Sequence, residues 1–322
     1  MTRPNLEATV LALALSLGGC AGSTPAAGSV SGTRMTPAEA REYIAEVQAE
    51  RGTKPGAEAA VGSMDELFQV VEGDEIGRFE QASRLVAGKP GIDAQSLHAT
   101  IELLWSDALS TVALLAEELG EHARIEAERL TRLRDSGREL GADENQALER
   151  AQKSVAFHAK ARDALDVLAV DHLRSTVTLV NELLRNAPED PRSYRVAALY
   201  YLLSGDWQHY DSAMTWLKPS EATDAGVQYL RGMEALKRFA VRKEATAFFK
   251  EALRLNPKLV RAQAKLVLAE ESIDAKYAEL QTLTSVAPRH PIVSIAGPSI
   301  TSEYEMALAV RKAREAHPSA QP

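Results

Sequence analysis

Cysteine is nearly absent from this 322-residue chain: Cys20 stands alone, so no intramolecular disulfide can form. Long apolar runs are missing as well. No uninterrupted stretch reaches the roughly 20 residues that a membrane-spanning helix needs. Strand signals, which alternate β-branched or aromatic residues with polar ones, are almost absent, which excludes a sheet-based core. A basic excess is lacking too: 37 Lys and Arg face 45 Asp and Glu, for a net charge of −8. That balance argues against nucleic acid, or an anionic membrane face, as the main partner. Catalytic signatures are also missing. There is no Gly-x-Ser-x-Gly elbow, His-Glu-x-x-His pair, Walker loop or dinucleotide glycine pattern, and Gly88-Lys89-Pro90-Gly91 reads as a helix-ending turn. No acid, base and nucleophile converge in the sequence, so the expectation is a non-enzymatic protein without a cofactor.

What is present begins with Arg3, an apolar run from Val10 to Leu17 broken only by Ser16, and then Leu17-Gly18-Gly19-Cys20. The run is too short to span a bilayer, so residues 1–19 are expected to be a removed signal segment, leaving 303 residues. Leu17-Gly18-Gly19-Cys20 resembles the lipobox of bacterial lipoproteins, with a branched apolar residue three before the cysteine and small residues between. An ordinary secretory signal with an incidental cysteine is the alternative. The resemblance implies that Cys20 carries lipid and that the membrane is a partner through that lipid. Each buried methylene contributes about 0.8 kcal/mol, so several acyl chains make such anchoring stable. Ala21, where the enterobacterial pattern places an acidic residue for inner-membrane retention, points to the periplasmic face of the outer membrane.

Residues 20–62 are expected to be a tether with one short helix. The segment AGSTPAAGSVSGTRM is small and polar, and Thr36-Pro37-Ala38-Glu39 combines a cap, a first-turn proline and a glutamate three residues on. Ser63-Met64-Asp65-Glu66 repeats the capping-box pattern. No proline occurs between Gly91 and Ala187, and Ala, Leu, Glu and Arg dominate there, so the spacing predicts three or four long amphipathic helices broken at Gly120, Gly137 and Gly141. Leu97, Ile101, Leu104, Trp105, Ala108, Val112 and Leu115 form one apolar stripe of that segment. Residues 63–187 are thus a long-helix bundle or worn repeats, and the sequence leaves both open.

Prolines return at Pro188, Pro219, Pro257 and Pro288, spaced 31, 38 and 31 residues apart, an interval that asks for a repeat over residues 188–318. The clearest unit places Tyr229, Gly232, Met233 and Leu236 on a first helix, Ala245, Phe249 and Ala252 on a second, and Pro257 at its end. This unit resembles the tetratricopeptide repeat. Tyr194, Ala198, Tyr201 and Gly205-Asp206-Trp207 match on one side, followed by Tyr210, Met214 and Leu217. Val260, Ala264, Val267, Tyr277, Leu280 and Leu283 follow on the other. The fold class expected is all-α: a helix-turn-helix superhelix, preceded by a bundle if residues 63–187 are not repeats. A last helix from Thr301 to Ala316 would cap it.

Arg192, Arg195, Arg231, Arg261 and Lys265 recur on the first helices, which the resemblance places along a concave surface. Such a basic stripe on an acidic protein suits an acidic peptide or another envelope protein, and ordinary solvated helix faces are the plainer reading. The aromatics of this half are expected to be mostly core. His98 with Glu102 reads as a surface i, i+4 pair. Glu118, His122 and Glu126 share a helical face that a metal would need, and a solvated face explains them equally well. The function expected is an anchored interaction scaffold. The alternatives are an accessory to periplasmic solute uptake, marked by an enclosed polar cavity, and a periplasmic metalloprotein or enzyme.

Overall fold

Helix starts in this chain are specified by short polar side chains that take up the unpaired N–H groups of a first turn. In the computed structural model, which describes residues 35–50 and 63–316, both expected capping boxes are formed. Thr36 Oγ1 accepts from the Glu39 N–H at 3.3 Å while Glu39 Oε2 accepts from the Thr36 N–H at 2.7 Å. Ser63 and Glu66 reciprocate in the same way at 3.2 Å each. The segment ending in Cys20 lies outside the described residues. Those described are all-α, with no strand among them, and they fall into two compact units.

The first unit contains α1 (Pro37–Glu50), residues 104–135 of α4 (Ile92–Asp135) and residues 142–174 of α5 (Ala142–Asn186). α4 and α5 run antiparallel: Trp105 stacks on His172 at 4.2 Å, Ser106 donates to the Ala169 carbonyl at 2.8 Å, and Glu117 meets Arg162 at 3.3 Å. Only two helices occupy the proline-free stretch, instead of three or four. Gly137, at φ +85°, does end α4, whereas Gly120 sits within it. A Cβ on Gly120 would lie 3.2 Å from His158 Cβ, so this glycine serves close helix packing rather than a break. α1 joins through Arg41 with Asp171, and through Tyr43, whose ring lies 4.2 Å from Lys160 Nζ. α4 is long and apolar enough to cross a membrane, with an 18-residue window of mean hydropathy 1.3. That window is 72% buried inside the fold, as in the core helix of a helical domain.

The second unit contains α2 (Met64–Glu72), α3 (Phe79–Val86), residues 92–103 of α4 and 175–186 of α5, and then successive short helices. These are α6 (Pro191–Ser204) with α7 (Trp207–Leu217), α8 (Ala225–Lys237) with α9 (Arg242–Leu255), and α10 (Val260–Ala269) with α11 (Ile273–Val286). α12 (Pro291–Ile295) and α13 (Gly297–Ala316) close the series. Each pair packs internally, α6 also lies against α8, α9 against α10 and α11 against α13, so the arrangement is repeat-like. Punctuation explains the short helices: Asp190 caps α6 with Pro191 behind it, Gly205 ends it at φ +75°, and Asp206 and Asp224 cap α7 and α8. Among the described residues, Gly232 is the glycine with the least room for a side chain. A Cβ there would lie 2.5 Å from the Phe249 ring, so that ring packs directly on the glycine where α8 meets α9. Ala245, Phe249 and Ala252 are buried against that crossing.

Candidate functional site

The five cations predicted to face a partner lie on the first helices of successive pairs, as their spacing requires, and each is engaged by the chain itself. Arg192 grips Asp190 through three nitrogen–oxygen contacts of 2.7–3.2 Å and also pairs with Asp93. The Arg192 hydrogen bonds hold the Asp190 carboxyl below its ordinary range, and that carboxylate in turn raises the affinity of Arg192 for its proton. Arg195 meets Asp224 at 2.9 Å. Arg231 bridges Glu221 at 2.9 Å and Glu234 at 3.0 Å; burial opposes its charge, and the two carboxylates outweigh that cost. Lys265 is half-buried and likewise has a partner. Arg192, Arg195 and Arg231, part of a row of cations in sequence, are therefore members of internal ion pairs in space.

Arg261 differs from the other arginines in what it holds. Its Nη1 donates to a backbone carbonyl, that of Val71, at 3.2 Å, and its guanidinium lies 5.3 Å from the centre of the Tyr229 ring. Two further side chains meet the same short stretch. Asn256 Nδ2 donates to Glu72 Oε1 at 3.2 Å, and His290 Nε2 lies 3.2 Å from Asp74 Oδ2. Because His290 Nδ1 accepts from the Ile292 N–H, Nε2 carries the proton and donates to the carboxylate. His290 and Asp74 are both largely buried, with side chains 5% and 11% exposed. Asp74 itself adopts φ +47°, a conformation a non-glycine residue rarely takes.

Sequence reasoning missed Asn256 and His290. Each stands beside a proline at a helix boundary, and the spacing of such residues carries no sign of what they face. The buried polar centre between α7 and α8 was equally hidden: Tyr210 donates to the Leu230 carbonyl at 3.2 Å and to Glu234 at 3.4 Å, and burial, then Glu234, raises its pKa. Phe249, Tyr229 and Tyr210 are core as expected. Trp216 stays 58% exposed, stacked 5.0 Å from Tyr194, and Phe239 is 56% exposed.

His98 and Glu102 need correction, because they are not a surface pair. Glu102 is buried and accepts from Ser83 Oγ at 2.5 Å, with His98 Nε2 3.7 Å away. Burial lowers the His98 pKa, and Glu102 opposes that shift only in part. Glu126, of the face considered for a metal, gives both oxygens to Arg129 at 2.8 Å. Among the described residues no group of three or more His, Cys, Asp or Glu is placed to hold a metal. An open cleft of about 560 Å³ lies between α4 and α5, near Arg124, Thr131 and Gln152. Arg124 there is already paired with Glu121 and Glu128. Compared with protein-family models, curated proteins and solved structures, the chain matches none.

Proposed function

We propose that this chain is a non-enzymatic lipoprotein, anchored through Cys20 at the periplasmic face of the outer membrane, whose tetratricopeptide-like helix pairs form a scaffold for another envelope protein. The observation that carries the scaffold reading is the set of contacts on residues 71–74. Three side chains, from the end of α9, from α10 and from the start of α12, take one carbonyl and two carboxylates of a short segment. Stacked helix pairs that present polar side chains from successive elements are suited to hold peptide in this manner. The anchor reading is supported by Leu17-Gly18-Gly19-Cys20 and by the small polar residues that follow.

The test is expression of the full chain in a diderm host with an alkyne-tagged fatty acid, followed by membrane separation and cross-linking. The expected result is label on the wild type and none on Cys20→Ser, outer-membrane sedimentation, and a discrete cross-linked envelope partner. An unlabelled chain in the soluble periplasm sinks the anchor. A labelled chain that cross-links to nothing sinks the scaffold.

A further inference from the structure

The three groups that hold residues 71–74 are each oriented by something other than the segment they hold. Asn256 Oδ1 accepts from the Lys258 N–H at 3.0 Å, which turns the amide so that Nδ2 points to Glu72. His290 Nδ1 accepts from the Ile292 N–H at 3.2 Å, which commits Nε2–H to Asp74. The Tyr229 ring supports the guanidinium of Arg261. Groups fixed in advance bind without a further ordering cost, the property expected of a receptor surface. The segment they hold is the cap of α2: Asp74, at φ +47°, is its left-handed residue, with the Glu75 N–H donating to the Val70 carbonyl at 3.0 Å and the Asp74 N–H to the Val71 carbonyl at 3.4 Å.

We infer that Asn256, Arg261 and His290 form a binding site for an acidic peptide, and that Val71-Glu72-Gly73-Asp74 fills this site in cis. The occupant recognised in trans is a partner segment that offers a backbone carbonyl followed by two carboxylates two residues apart. Charge complementarity favours this class: one guanidinium, one amide N–H and one imidazole N–H donate, and the chain's own occupant accepts at every contact. This rests on the scaffold reading and adds its ligand class and its competitor. A partner would have to displace α2, so its apparent affinity is reduced by the fraction of molecules in which the site is closed.

The probe is a fluorescein-labelled peptide of residues 63–76, SMDELFQVVEGDEI, titrated by anisotropy against the full chain. A double variant, Glu72→Lys with Asp74→Lys, opens the site. It should bind the peptide about tenfold more tightly than wild type does, and adding Arg261→Ala and His290→Ala should remove that binding. Equal affinity for wild type and the double variant, or binding that survives the receptor substitutions, overturns the proposal. Hydrogen exchange on the wild type guards against a double variant that does not fold. The amides of residues 64–75 should exchange at least about tenfold faster than those of Val227–Ala235. Equal protection would make α2 an integral part of the core and overturn the proposal. A wild-type dimer that the double variant abolishes would assign residues 71–74 to a second copy and overturn the cis reading. None of these readouts depends on lipid or on an envelope partner, so failure here is distinct from failure of the scaffold itself.

Discussion

The two units differ in where their polar contacts concentrate. In the first, α4 and α5 are lined with pairs that close within one helical turn: Arg124 with Glu121 and Glu128, Arg129 with Glu126, and Lys153 with Glu149. These groups are exposed, and such pairs solvate a helix face more than they stabilise it. The second unit has local pairs too, such as Arg231 with Glu234, and adds partners far apart in sequence, 190 residues for Arg261 and Val71 and 216 for His290 and Asp74. Contacts of that kind fix which segment lies where. Exposed local pairs leave the surface of a long helix tolerant of change, whereas long-range polar contacts set which segment the short helices meet.

That comparison is broken most severely at the helix crossing of the second unit. Phe249→Ala removes a fully buried ring and should destabilise the protein by about 3–5 kcal/mol in urea unfolding. The two packed glycines sharpen the contrast. Gly232→Ala places a Cβ 2.5 Å from the Phe249 ring and should cost about 1–3 kcal/mol. Gly120→Ala meets His158 Cβ at 3.2 Å, which a small helix shift relieves, and alanine favours the helix by about 1 kcal/mol, so its effect should stay near zero. Equal losses at the two glycines would show that the hairpin packs as tightly as the repeat-like series.

A smaller effect should follow pH. Burial holds the His98 pKa below its ordinary value, so the unfolded chain binds a proton there more readily than the folded one. Its contribution is fully present above about pH 6.5 and is lost as pH falls from there through the lowered folded value. Urea midpoints at pH 7.5 and 5.5 should therefore differ more for wild type than for His98→Gln. Equal differences would mean that His98 is not the group responsible. The smallest effect belongs to the hairpin surface: Lys153→Ala should leave the thermal midpoint unchanged within error, because its pair with Glu149 is fully exposed.

Much of this was legible in the primary structure because it is local. Thr36 with Glu39, and Ser63 with Glu66, announced their helix starts, since a capping box is complete within four residues. Gly205-Asp206 marked the turn between α6 and α7, and Ala245, Phe249 and Ala252 marked the buried face of α9. Gly120 misled because a glycine read alone signals a break, while against His158 it allows close packing. The cation stripe was legible without the carboxylates that meet it. Arg192, Arg195 and Arg231 are correctly placed on first helices, but Asp93, Asp224 and Glu221 meet them only after folding.

Local signals set the all-α class, the capped helix starts and the apolar faces, because caps, prolines and three-to-four-residue periodicity act through neighbours along the chain. The sequence also holds the Leu17-Gly18-Gly19-Cys20 pattern on which the proposed anchor depends. Folding settles which charges meet, which glycine is a packing point, and that Asn256, Arg261 and His290 face Val71, Glu72 and Asp74. The physical reason is range. Hydrogen-bond donors become a site only when folding brings them within about 3 Å of one another's ligand, and no local rule in the sequence encodes that distance.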